Sequence, residues 1–311
     1  MPWRVMPCGD GEADLVVQLG RRGDVAFLLD MKSHAGGPGC NAATIRSESA
    51  GDNWLCVREL VTISNSPSGD WVNLSSGAVP LRCWWSPVAS GLSDMGDIFT
   101  QNRAIIVLPE VFGVNGWVRS VADRLAAAGV PALALPLFAR TAPGLDLTYS
   151  DQDLAEGRRH KDATTADQIC ADVSVAMAWL HKCCPRAEIH VVGFCFGGHA
   201  ALIAATLSGV AATFDFYGAG VSRMRPGGGP PSLELLSQVK GRLTCICGTA
   251  DPLIPEDDRR AIESALKNHD STSSRFRYLE LNGADHGFMC EERSSFNPEA
   301  SSQGWQLLLE G

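Results

Sequence analysis

The chain lacks any apolar run of the ~18 residues needed to span a bilayer. Its start, Met1-Pro2-Trp3-Arg4-Val5-Met6-Pro7, lacks the apolar h-region of a secretory signal. It also lacks a basic excess: 26 Lys and Arg face 35 Asp and Glu, and the net charge of −9 argues against a general nucleic-acid binder, which needs a basic face. The eleven cysteines show no repeated C-x-x-C pairs, so a structural zinc site is not expected. Internal repeats are absent. Gly227-Gly228-Gly229-Pro230-Pro231 has no strand before it and no Lys after it, which makes a phosphate-binding loop a poor reading. What is present is ordinary for a soluble globular protein, with 45% hydrophobic and 20% charged residues. A length of 311 residues allows one large domain, or one domain plus a smaller piece. Most cysteines should be reduced, buried, small hydrophobes, and a reducing cytoplasm is the simplest compartment.

Two regimes follow each other along the chain. Residues 1–69 carry no chemistry-bearing motif. Ser33 to Cys40 is loop-like, residues 25–29 and 55–63 suit strands, and His34 reads as a solvated loop residue. From Trp71 a β-hairpin is expected, over 71–74 and 79–85, then a polar connection over 86–102. Strands and helices then alternate. Strands are expected at 104–108, 131–137, 189–192, 211–217, 243–247 and 275–281, and helices at 115–128, 164–182, 255–267 and 299–309. Residues 139–162 read as a long polar loop able to cover a site. This alternation implies a mostly parallel sheet with helices on both faces, and such sheets gather catalytic groups at the carboxyl ends of their strands.

Gly193-Phe194-Cys195-Phe196-Gly197-Gly198 joins the strand 189–192 to an apolar helical run. Strand, G-x-C-x-G and helix together form the nucleophile-elbow pattern with cysteine as nucleophile. Gly193 and Gly197 leave room for close approach of strand and helix. The helix N-terminus favours a negative sulfur. The plainer reading is a buried cysteine beside a glycine-rich turn. A thiol nucleophile needs a base and a group to orient it, and in elbow sheets these follow in the order nucleophile, acid, histidine. Asp251 lies just past strand 243–247 and His286 just past strand 275–281, so both fit that order. His160, His181 and His190 come too early. His199 should pack or meet solvent, His269 should sit at a helix end, Asp257 and Asp258 should open a helix, and Asp285 should be a turn residue. The loop after strand 104–108 holds Glu110 and Val111. With the residue after the nucleophile, that loop position supplies oxyanion donors in this architecture, here the N–H groups of Val111 and Phe196.

Residues 108–115 (Leu-Pro-Glu-Val-Phe-Gly-Val-Asn), Pro136-Leu137-Phe138-Ala139-Arg140, the cysteine elbow, Asp251 and His286-Gly287-Phe288 together resemble the dienelactone hydrolase (carboxymethylenebutenolidase) family, over about residues 71–311. The resemblance implies an α/β-hydrolase fold with Cys195 as nucleophile, His286 as base and Asp251 as orienter. It implies that Glu110 interacts with the thiol and helps form the thiolate, and that Arg140 binds a substrate carboxylate. The family's hydrolytic members carry a second arginine four residues after the histidine, where this chain has Cys290; the nearest arginine is Arg293. The expectation is therefore an α/β-hydrolase domain over 70–311, with an extension of unknown role over 1–69. Its activity would be hydrolysis of a small, carboxylate-bearing ester or lactone through an acyl-thioester, with no metal or organic cofactor. A carboxylesterase or thioesterase acting on another acyl group, and a non-catalytic ligand-binding relative, are the rival readings.

Overall fold

The computed structural model describes residues 69–88 and 102–311 in full, together with the backbone of four short strands before them. The chain divides into two units, Met1–Ser68 and Gly69–Gly311. In the first, β1 (Leu15–Leu19), β2 (Ala26–Met31), β3 (Ala42–Glu48) and β4 (Ile63–Ser64) form one antiparallel sheet in chain order. The strand expected over 25–29 falls on β2, whereas most of 55–63 and the Ser33–Cys40 loop lie outside the described residues.

The second unit opens with a hairpin, β5 (Asp70–Ser76) and β6 (Val79–Ser86). Its two-residue turn uses Gly77 at φ +61°, a left-handed conformation that glycine adopts without steric cost. Then come β7 (Arg103–Leu108), α1 (Gly116–Ala127), β8 (Ala132–Ala134), α2 (Asp151–Asp162), α3 (Ala166–Cys183) and β9 (Glu188–Phe194). The last elements are α4 (Phe196–Ala204), β10 (Val210–Phe216), a 3₁₀ turn (Ser232–Gln238), β11 (Arg242–Gly248), α5 (Glu256–His269), β12 (Phe276–Leu281) and α6 (Pro298–Glu310).

The eight strands of this unit are ordered β12-β11-β10-β9-β7-β8-β6-β5. All pairs from β8 to β12 are parallel; only the hairpin and the β6–β8 pair are antiparallel. A parallel strand buried on both faces should be apolar, and β7 is from Ala104 to Leu108. Ile105 and Val107 face the layer holding α1 and α6, and Ala104, Ile106 and Leu108 face the layer holding α3 and α4. This is the mostly parallel sheet with helices on both faces that the alternating pattern implies, and the α/β-hydrolase fold that the resemblance implies.

The chain departs from the expectation at two places. The segment 139–162 is not all loop, since α2 occupies its second half. That helix has no apolar stripe. Ser150 caps it by accepting from the Asp153 N–H, with Asp151 and Asp153 in the first turn and Arg159, His160 and Lys161 in the last. The strand expected over 131–137 shrinks to three residues, because Pro136 and the turn after it end the pairing. Among the described residues no helix is long and apolar enough to cross a membrane.

Candidate active site

Strand β9 ends at the elbow. Cys195 sits at φ +56°, ψ −120°, a conformation that a non-glycine residue rarely adopts. Its N–H donates to the Phe216 carbonyl at 3.0 Å, which ties the turn to the end of β10. The glycines act as the motif requires. A Cβ on Gly193 would stand 1.8 Å from the Gly197 carbonyl oxygen, and one on Gly197 would stand 2.3 Å from the Leu108 carbonyl oxygen. Any side chain there would push the helix off the sheet. Cys195 is half-buried at the start of α4, and the eight cysteines among the described residues are all free thiols.

His286 lies beyond β12 and Asp251 beyond β11. The imidazole Nδ1 is 2.8 Å from Asp251 Oδ2, and Asp251 is itself oriented by the Leu253 N–H on Oδ1 at 2.8 Å. Both side chains are buried. The opposite ring nitrogen, Nε2, is buried without a hydrogen bond of good geometry. The group acting on it is the Cys195 thiol, near enough to bear on the ring but not aligned for a good hydrogen bond. Burial pulls the His286 pKa down. The negative charge of Cys195, the hydrogen bond of Asp251 and the charge of Asp251 overcome it and raise the pKa to about 10.

Glu110, 1% exposed, sits at the end of β7. Its Oε1 accepts from Arg293 Nη1 at 2.8 Å, and its Oε2 has no partner. Burial raises the Glu110 pKa, against the opposing charges of Arg293 and His286. Arg293 thus comes to the glutamate loop from three residues past Cys290. Its guanidinium also lies 5.9 Å from the Phe112 ring centre and 6.0 Å from that of Tyr149. Gly287, at φ +85°, makes room for it; a Cβ there would stand 2.4 Å from Arg293 Nη1. Val111 and Phe196 are both buried, and among the described residues neither of their N–H groups is spent on a loop or turn hydrogen bond.

Arg140 is engaged elsewhere. Nη1 and Nη2 hold the buried Asp172 carboxylate at 2.5 and 2.8 Å, and Nη2 also reaches Ser76 at 3.3 Å. Among the described residues, the other histidines stay out of the site. His199 packs, with Nδ1 3.0 Å from the Ala219 carbonyl and Nε2 2.7 Å from Ser232 Oγ, and burial draws its pKa down to about 4. Asp285 caps the His286 N–H as a turn residue. Asp258 opens α5 but is bound by Arg223.

Two tyrosines of this region were not picked out by sequence, and Arg293 was named there only as the nearest arginine to Cys290. Arg293 pairs with Glu110. Tyr149, which accepts from Asn115 Nδ2 at 3.1 Å, packs edge-on against Phe112. Tyr217 follows β10 with its ring edge-on to His286, 5.2 Å between centres. A tyrosine at the carboxyl end of a central strand was the available signal for the last.

A family model described as the dienelactone hydrolase family matches residues 96–310. The chain belongs to the dienelactone hydrolase family. It is thus a hydrolase. A Synechocystis sp. protein provisionally named a carboxymethylenebutenolidase is 37% identical over 67% of this chain and 84% of its own length. The Pseudomonas putida carboxymethylenebutenolidase is 27% identical over 51% of this chain and 64% of its own. Solved structures share the fold. A Klebsiella pneumoniae structure provisionally assigned as a dienelactone hydrolase superposes with a TM-score of 0.66 at 22% identity, covering 78% of this chain and 96% of that one. The Anabaena variabilis dienelactone hydrolase superposes with a TM-score of 0.53 at 21% identity, over 78% and 96%. The family model spans the elbow, and the solved structures share the layered sheet.

Proposed function

We propose that residues 70–311 hydrolyse a small ester or lactone through a Cys195–His286–Asp251 triad, with residues 1–69 outside the chemistry. One observation carries this reading: an imidazole gripped by a buried carboxylate at 2.8 Å on one side and charged by the elbow thiol on the other. An imidazolium beside a sulfur favours the nucleophilic form of a thiol by opposite charge.

The Cys195 thiolate attacks the carbonyl carbon, a C–S bond forms, and the carbonyl electron pair moves onto oxygen. The N–H groups of Val111 and Phe196 receive that oxyanion, and removing such a donor costs on the order of 3 kcal/mol of transition-state stabilisation. The intermediate collapses, the C–O bond breaks, and the leaving oxygen takes the proton of His286. The neutral imidazole, still oriented by Asp251, then deprotonates a water that attacks the thioester. The C–S bond breaks, and acid, thiolate and imidazolium are left. Glu110, paired with Arg293, bears on the charge of His286.

Two cations compete for a substrate carboxylate. Arg140 is the one the motif suggests, but both of its Nη atoms are on Asp172. Arg293 feels the charge of Cys195 directly, which favours it as the cation nearer the chemistry.

Alkylation and kinetics test the reading together. Iodoacetamide should label Cys195 ahead of the other cysteines and abolish hydrolysis of p-nitrophenyl acetate, and Cys195→Ala should fall by at least about 10³-fold. Wild-type turnover in Cys195→Ala would end the proposal. Arg293→Gln should erase any preference for an anionic over a neutral ester, and Arg140→Gln should leave it standing.

A further inference from the structure

Tyr217 is the most heavily constrained side chain near the thiol that the mechanism above leaves without work. It is wholly buried, yet its hydroxyl makes no hydrogen bond to any protein group. Buried hydroxyls almost always find a partner, and one that does not is an exception requiring a cause. Its backbone is a second exception. Tyr217 has φ +43°, in the left-handed region, where a bulky aromatic residue is strained. Two costs fall on one residue, directly after β10 and at the strand end where the elbow is anchored by the Cys195–Phe216 hydrogen bond.

The surroundings of the phenol are those of the chemistry. Its ring stands edge-on to His286 at 5.2 Å and to Phe288 at 4.9 Å. The charges that bear on its hydroxyl are those of Glu110, Cys290, Arg293 and Cys195. Burial first, then Glu110 and Cys290, hold the phenol well above its usual pKa, so it keeps its proton at working pH. A phenol that cannot ionise is a hydrogen-bond donor and not a base. Two more buried polar atoms of this group lack good partners, Glu110 Oε2 and His286 Nε2. Three unspent polar atoms around one nucleophile describe a place shaped for a polar group that arrives with substrate.

We propose that the Tyr217 hydroxyl donates a hydrogen bond to the leaving-group oxygen of the ester or lactone as its C–O bond breaks. This rests on the triad reading, and the position of the ring chooses the oxygen. The carbonyl oxygen goes to the backbone N–H groups of Val111 and Phe196. The leaving oxygen goes to the His286 side, where Tyr217 stands. The phenol transfers no proton; His286 delivers that. It stabilises negative charge on the departing oxygen until the proton arrives, so its effect should grow as the leaving group becomes more basic.

Tyr217→Phe removes only the hydroxyl and keeps the ring packing on His286 and Phe288. The experiment measures kcat/KM, which reports acylation, over a series of acetate esters from p-nitrophenyl to alkyl. The melting temperature is measured on the same samples. The expected loss is about tenfold for p-nitrophenyl acetate, rising to on the order of 100-fold for alkyl esters, so the dependence on leaving-group pKa steepens. The melting temperature should hold or rise, because an unpartnered buried hydroxyl has been removed. A hydroxyl with a purely structural role would instead lower the melting temperature and leave the slope alone. Wild-type rates, or an equal loss across the series, overturn the proposal. Cys195→Ala in parallel keeps the two readings apart. If it is active the triad reading fails first, whereas if it is dead and Tyr217→Phe is unimpaired, only the role of Tyr217 falls.

Discussion

His286 keeps its proton against burial. Desolvation would strip the charge from a ring 5% exposed, but the sulfur of Cys195 and the carboxylate of Asp251 outweigh it. His199, only four residues past Cys195, shows the opposite outcome of the same physics. Both of its nitrogens are engaged by neutral oxygens, and burial leaves it neutral, near 4. The negative charge next to the ring decides between them. In wild type the His286 ring should therefore stay an imidazolium through neutral pH and lose its proton near 10, followed by imidazole ¹⁵N shifts. Cys195→Ala removes the largest raising influence, so the titration should move down by about one unit or more. An unmoved titration would mean that the sulfur does not act on the ring. At this scale the sequence discloses a residue when the topology fixes its place. Cys195, Asp251 and His286 each follow a strand, in a fixed order. Arg293 was visible as the nearest arginine past Cys290, but its pairing with Glu110 was hidden, because that reach depends on how the chain turns over Gly287. Arg140 fits a motif, but its partner, Asp172, lies on a helix that the motif does not include.

Helix α2 was hidden for a related reason at the scale of elements. Amphipathic helices announce themselves through apolar periodicity, and this one buries only Gly157. That glycine has a specific job. A Cβ on it would stand 2.2 Å from the carbonyl oxygen of Val111, so α2 lies directly against the loop proposed to hold the oxyanion. Strand β7, α1 and the elbow were legible because burial on both sides or on one side leaves a periodic mark, whereas a helix that covers a loop through a single glycine leaves none. Gly157→Ala separates the two influences on this helix. Alanine favours the helix by ~1 kcal/mol over glycine, so an open position would be stabilised. Here the obstacle is backbone, which cannot rotate aside. The substitution should lower stability despite its helix propensity and reduce kcat about tenfold or more by moving the Val111 N–H. Urea unfolding and p-nitrophenyl acetate turnover measure both; greater stability with unchanged turnover would show that α2 does not clamp the loop.

Across the whole second unit, the parallel sheet was legible because strands and helices alternate at regular lengths, and the comparisons assign that region to its family. The first unit left less to read. Its strands are short, and nothing in residues 1–69 marks a site. One buried charge bears on the stability of the whole. Asp215, one residue before the end of β10, pairs in register with Gly193 of β9 and Cys245 of β11. Its Oδ1 fills the space beside Gly198 of the elbow helix and Gly218, 2.4 and 2.2 Å from where their Cβ atoms would stand. Burial raises its pKa from 3.8 to about 7, only partly offset by hydrogen bonds from the Gly218 N–H and Cys245. A carboxyl whose pKa is raised on folding stabilises the folded state fully below its unfolded value and loses that contribution as pH rises through the folded one. The interval between 3.8 and about 7 amounts to on the order of 4 kcal/mol. Denaturant unfolding of the wild type should therefore show stability falling between about pH 4 and pH 8 beyond what the surface carboxylates account for. Asp215→Asn keeps the shape and removes the titration, so its stability should change much less over that range. It should also exceed that of wild type at pH 8, where the native carboxyl is ionised without solvent. If the two pH profiles run parallel, the Asp215 carboxyl is solvated and the elbow helix does not rest on a protonated acid.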